Sequence, residues 1–85
     1  MTKCLAIELG PKVRVNCVIP GIIRTPDTEE RHNLKENEQH IAESILARRI
    51  GEPDDVANVI EFLISDKGDY INGQKIIVDG GQFLY

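Results

Sequence analysis

The spacing of apolar residues changes along the chain, and each change marks an element. From Thr2 to Leu9, Leu5 and Leu9 stand four apart, with Cys4, Ala6 and Ile7 widening the stripe, which predicts a helix. Gly10 suits the left-handed position just past a helix, and Pro11 cannot continue one. This helix has no start signal and begins in pattern, as a piece of a longer helix would. Val13 to Ile19 is rich in β-formers with apolar residues on consecutive central positions, which predicts a strand covered on both faces, as in parallel sheets. Asn16 interrupts the run and is expected to have a hydrogen-bond partner.

Residues 26–40 are polar and charged with few apolar anchors, which predicts a mobile surface loop. Glu36 to Ile50 then reads as a helix, with Ile41, Ala42, Ile45 and Leu46 on one face and Gly51 as its breaker. Pro53 to Ser65 is the clearest helix. Pro53 fits the first helical position, Asp54 and Asp55 favour the helix dipole, and Val56, Val59, Ile60 and Leu63 recur at helical spacing. Gln74 to Asp79 predicts a second buried strand, closed by Gly80 and Gly81. Asn72-Gly73 could form a hairpin turn, but Gly68 to Ile71 does not alternate as a strand would. Two apolar strands separated by helices instead predict one parallel, right-handed crossover.

With 85 residues the chain holds one small domain at most. A net charge of −4 argues against nucleic acid or an anionic membrane as partner, since both select for clustered Lys and Arg. No apolar run approaches the ~20 residues of a membrane span, and no secretory start is present. Cys4 and Cys17 do not make a disulfide scaffold; both read as reduced core thiols, which places the chain in the cytoplasm. His32 and His40, with the surrounding glutamates, lack tight ligand spacing, so they read as a solvated face rather than a metal site.

Four segments together carry a resemblance. They are Leu5-Ala6-Ile7-Glu8-Leu9-Gly10-Pro11; Arg14 through Gly21 with Thr25; Gly51-Glu52-Pro53-Asp54-Asp55-Val56-Ala57; and Ile71-Asn72-Gly73-Gln74 through Val78-Asp79-Gly80-Gly81. In this order they resemble the C-terminal third of a short-chain dehydrogenase/reductase. The resemblance implies an α/β fold, the C-terminal fragment of a Rossmann-like doubly wound parallel sheet, with residues 1–85 forming a partial domain. It implies NAD or NADP as cofactor and hydride transfer to or from a carbonyl or alcohol carbon. Such folds bind ligands beyond the carboxyl ends of their strands, and Pro20-Gly21 stands at such an end. By position, the resemblance implies that Pro20 and Gly21 let the backbone approach the nicotinamide. It further implies that the main chain of Ile23 pairs with the carboxamide and that Thr25 bonds the carboxamide or a phosphate oxygen. Residues 27 to about 47 match the family's variable substrate lid.

Two family motifs are missing from these residues. No phosphate-binding glycine motif is present, since Gly80-Gly81 follows a strand but precedes no helix. The resemblance places the Tyr-x-x-x-Lys pair about one helical stretch before Met1. Tyr70 has Gln74, not Lys, at the fourth position, with Lys75 one further on, and Tyr85 is the last residue. The isolated chain therefore has no general acid and is expected to be inactive alone. A second possibility is a non-catalytic interaction module. The resemblance implies that the helix near 53–65 and the strand near 74–79 form a subunit contact, which would pair with a second copy or with a full-length relative. The first strand, lacking a neighbour on one side, is an unpaired apolar edge, so the purified chain is expected to be unstable, dimeric or insoluble.

Overall fold

The computed structural model describes residues 1–82. Its elements are helix α1 (Thr2–Leu9), strand β1 (Cys17–Pro20), helices α2 (Pro26–Arg31), α3 (Leu34–Glu43) and α4 (Pro53–Ile64), a 3-10 turn at Asp66–Gly68, and strand β2 (Lys75–Val78). The two strands pair in parallel, Cys17 opposite Lys75 through Pro20 opposite Val78. That settles Asn72-Gly73 as a turn into a crossover strand rather than a hairpin. Both strands therefore end at the same edge, where Gly21 and Asp79 lie side by side.

α4 forms as its sequence dictates. Glu52 precedes Pro53 at the first helical position, and a reciprocal capping box joins Glu52 and Asp55. Leu63, 6% exposed, is the residue that anchors this helix. Gly68 lies directly on the helix end, because a Cβ there would sit 2.7–2.8 Å from the backbone of Leu63 and Phe62.

The strands are shorter than the apolar runs suggest. Val13 to Asn16 is not ladder: beside one backbone bond, from the Gly73 N–H to the Val15 carbonyl at 2.8 Å, side chains do the pairing there. Arg14 donates to the Gly68 carbonyl at 2.6 Å, and Asn72 accepts from the Val15 N–H at 3.0 Å. Asn16 has the partners its position requires. It donates to the Ile71 carbonyl and accepts from the Gln74 N–H, both at 3.0 Å. These bonds fix residues 68–74 against the chain entering β1. The faces of the sheet also differ from expectation. Ile77 is 57% exposed and Ile19 is exposed, so among the described residues neither strand is covered on both sides.

Three other expectations are corrected. Gly10 is extended (φ −69°, ψ 155°), not left-handed, and its N–H still closes α1 onto Ala6. Cys4 is exposed rather than a core thiol, since the buried position of α1 is Ala6. The polar stretch 26–40 is two helices rather than a loop, and the second ends at Glu43 rather than Ile50. Capping starts the first of these: Thr25 and Thr28 cap each other and Pro26 opens the helix. Leu34, 2% exposed, seats the second. After Glu43 the chain turns irregularly through Arg48, at φ 59°, and buries Ile45 and Ile50. The Tyr85 position lies outside the described residues.

Candidate functional site

The site grows from the end of β1. Pro20 closes the ladder opposite Val78, and the Gly21 N–H donates to the Val78 carbonyl at 3.0 Å. A side chain at Gly21 would place its Cβ 2.7 Å from Asp79 Cβ and from Gln82 Oε1. The glycine is thus required by packing within the chain, which leaves no room behind the turn for any Cβ. Gln82 also accepts from the Ile22 N–H at 3.0 Å.

Ile23 and Gly51 form an isolated parallel bridge. In it Gly51 donates to the Ile22 carbonyl at 3.0 Å and accepts from the Arg24 N–H at 2.7 Å. Successive backbone groups of an extended chain point to opposite sides, so the N–H and C=O of Ile23 point away from Gly51. The Ile23 carbonyl accepts the Thr28 hydroxyl at 2.5 Å. The Ile23 N–H has no acceptor among the described residues. A free donor beside an acceptor with a second lone pair is the complement of a primary amide.

Thr25 sits next in the chain as the N-cap of α2. Its hydroxyl accepts from the Thr28 N–H at 3.2 Å, and its own N–H donates to the Thr28 hydroxyl at 2.8 Å. Between them, Arg24 reaches three glutamates: Glu29 at 3.7 Å, Glu52 at 3.1 Å, and Glu38 on α3. Hydrogen bonds donated to Glu38 and then to Glu52 raise the Arg24 pKa above its ordinary value. The fold brings Pro20, Gly21, Ile23 and Thr25 to one edge of the strand pair. Thr28, Arg24 and Gln82 were not anticipated there. A Thr three residues after Thr25, with Pro between, is a readable capping pattern; Gln82 carries no local signal.

Behind this wall is a cavity of about 140 Å³ lined by Ile22, Ile23, Arg49, Gly51, Asp55 and Gly80, among others. It is too small for a dinucleotide, whose sites run to several hundred Å³. A larger groove, lined by Val13, Val15, Val18, Ile60, Leu63 and Tyr70, touches none of the four wall residues. Neither cavity encloses a dinucleotide against these four residues. Tyr70 is fully exposed and is followed at the fourth position by Gln74, so the described residues hold no Tyr-x-x-x-Lys pair.

Arg49 grips both oxygens of Asp55, at 2.7 and 3.0 Å, beside the same cavity. This pairing, with the Glu52 N–H, lowers the Asp55 carboxyl from 3.8 to about 2. A depressed carboxyl stabilises the fold above its unfolded value and loses that contribution as pH falls toward the folded one. The stability difference between the wild-type chain and Asp55→Asn is therefore expected to be full at pH 5 and to vanish between pH 4 and about 2. Urea denaturation midpoints across that range check it.

Comparison with known proteins extends the geometry. The family model described as enoyl-(acyl carrier protein) reductase matches residues 1–82. Human dehydrogenase/reductase SDR family member 4 is 44% identical over 82 residues, covering 95% of this chain and 30% of that protein. The chain thus spans about a third of the length of such relatives. A short-chain dehydrogenase/reductase (glucose/ribitol dehydrogenase) from Brucella melitensis superposes with a TM-score of 0.91 at 41% identity, over 100% of this chain and 34% of that one. A 4-hydroxyisoleucine dehydrogenase mutant complexed with NADH and succinate gives 0.86 at 39% identity, over 99% and 35%. A parallel strand pair ending in a Pro-Gly turn, together with a family match along all the described residues, identifies the chain as a member of the short-chain dehydrogenase/reductase family.

Proposed function

We propose that these 85 residues are the C-terminal third of an NAD(P)-dependent oxidoreductase, and that they supply the nicotinamide-side wall of its pocket. The observation that carries this reading is the Ile23 peptide. Its N–H is unpartnered among the described residues, and it sits at the carboxyl end of a parallel strand, where ligands of such folds bind. The bound nicotinamide supplies the hydride acceptor or donor for a carbonyl or alcohol carbon. The chain's own part is binding. Ile23 donates its N–H to the carboxamide oxygen and offers its carbonyl to the amide. Pro20 and Gly21 fix the turn, and Thr25 sits between wall and lid with its hydroxyl 3.0 Å from that of Thr28. Residues 27–47, carrying α3 and much of α2, form the substrate lid. The proton for the reaction comes from a Tyr–Lys pair on a segment other than these 85 residues.

Co-expression of the chain with the N-terminal two-thirds of the human relative tests this. The complex is expected to bind NADH or NADPH by fluorescence titration and to oxidise one of them with a carbonyl substrate, while the chain alone shows neither. Turnover by rigorously purified chain would overturn the need for a second segment. Absence of cofactor binding by a stable complex would overturn the wall.

A second reading is favoured by the exposure of Ile60, Phe62, Ile64 and Ile77, all on α4 and β2. These apolar side chains suit pairing with a second copy or with a full-length relative. A concentration-dependent dimer of the chain, lost on Ile64→Glu and Ile77→Glu together, would support that role.

A further inference from the structure

We infer that Thr28 is a positioning residue that ties the first lid helix to the cofactor wall; the inference rests on the proposed function. A hydroxyl has one proton and two lone pairs. Thr28 gives that proton to the Ile23 carbonyl at 2.5 Å and accepts the Thr25 N–H at 2.8 Å. Its own backbone N–H is held by the Thr25 hydroxyl at 3.2 Å. One side chain thus fixes the carbonyl of the same residue whose N–H is free, and does so from the third residue of α2. Because the Thr28 proton goes to Ile23, the second lone pair of the Thr28 oxygen accepts the Thr25 hydroxyl, 3.0 Å away.

Arg24 repeats the arrangement from the other flank. It lies between Ile23 and Thr25 and reaches Glu29 on α2, Glu38 on α3 and Glu52 at the cap of α4. The Ile23 peptide is therefore held on one side by Gly51 and on the other by the lid. A shift of α2 must either break the Thr28 bond or turn the Ile23 carbonyl with it. Cofactor affinity and lid position become two readings of one hydrogen bond.

The test uses the complex of the chain with its complementing segment and compares Thr28→Val with Thr28→Ser. Valine keeps the shape and removes the hydroxyl; serine keeps the hydroxyl. NADH affinity is expected to fall about tenfold in Thr28→Val and to stay within about threefold of wild type in Thr28→Ser. Amide exchange at Thr25, whose N–H the Thr28 hydroxyl holds, is expected to accelerate in the valine variant only. A purely structural role would lower the fraction of complex that binds without changing the affinity of the rest. Unchanged affinity in Thr28→Val, or a serine variant as weak as the valine one, overturns this inference alone. A wild-type complex that binds neither NADH nor NADPH overturns the proposed function and this inference with it.

Discussion

Gly21→Val is expected to destabilise the chain by about 3 kcal/mol, near the top of the range for overpacking a filled site. The added Cβ would lie 2.7 Å from Asp79 Cβ and 2.9 Å from Asp79 Cα. Neither is the loose end of a flexible side chain, so relief requires moving the backbone after β2. That backbone is held, because the Gly21 N–H bonds Val78 and the Ile22 N–H bonds Gln82. Small domains carry only about 5 kcal/mol or slightly more of total stability, so the variant should lose most of its folded population. Urea denaturation followed by circular dichroism, at a fixed chain concentration, reads this. A variant with an unchanged midpoint would show that the two strand ends are not packed as described.

Leu63→Ala is the second large effect, with an expected loss of about 2–5 kcal/mol, the range for emptying a buried leucine site. Leu63 is the buried anchor of α4, and Gly68 packs on its backbone. Ile60→Ala, one turn earlier but 43% exposed, is expected to lose less than half as much. The contrast between the two, measured in the same denaturation experiment, separates the core of the chain from its apolar surface. Equal losses would mean that the face carrying Ile60 is covered too, as in a dimer.

The helix at Pro53–Ile64 was legible because two independent signals agree there, a helical apolar period and a Pro-Asp-Asp start. The parallel pairing was legible because apolar strands separated by helices leave few other connections. Helices α2 and α3 were not. Their stability rests on the Thr25–Thr28 cap and on Leu34, and a residue count over 26–40 registers only charge. Strand ends were overextended because Val13 and Val15 look like ladder, while Arg14, Asn16 and Asn72 do most of the hydrogen bonding there. The consecutive apolar residues of β1 and β2 signal a demand for burial and say nothing of what supplies it. Within the site, Pro20, Gly21, Ile23 and Thr25 were readable through resemblance. The free N–H of Ile23 and the bond from Thr28 needed three-dimensional pairing to be seen.

The packing of Gly21 on Asp79 also changes what the Pro-Gly signature can report. The residue is required wherever these two strand ends meet, whether or not a cofactor ever arrives. A descendant of this fold that lost its proton donor would have to keep Gly21 in order to fold. Surveys that count the turn are therefore counting a hinge of the architecture, and enzymatic competence has to be scored at other positions.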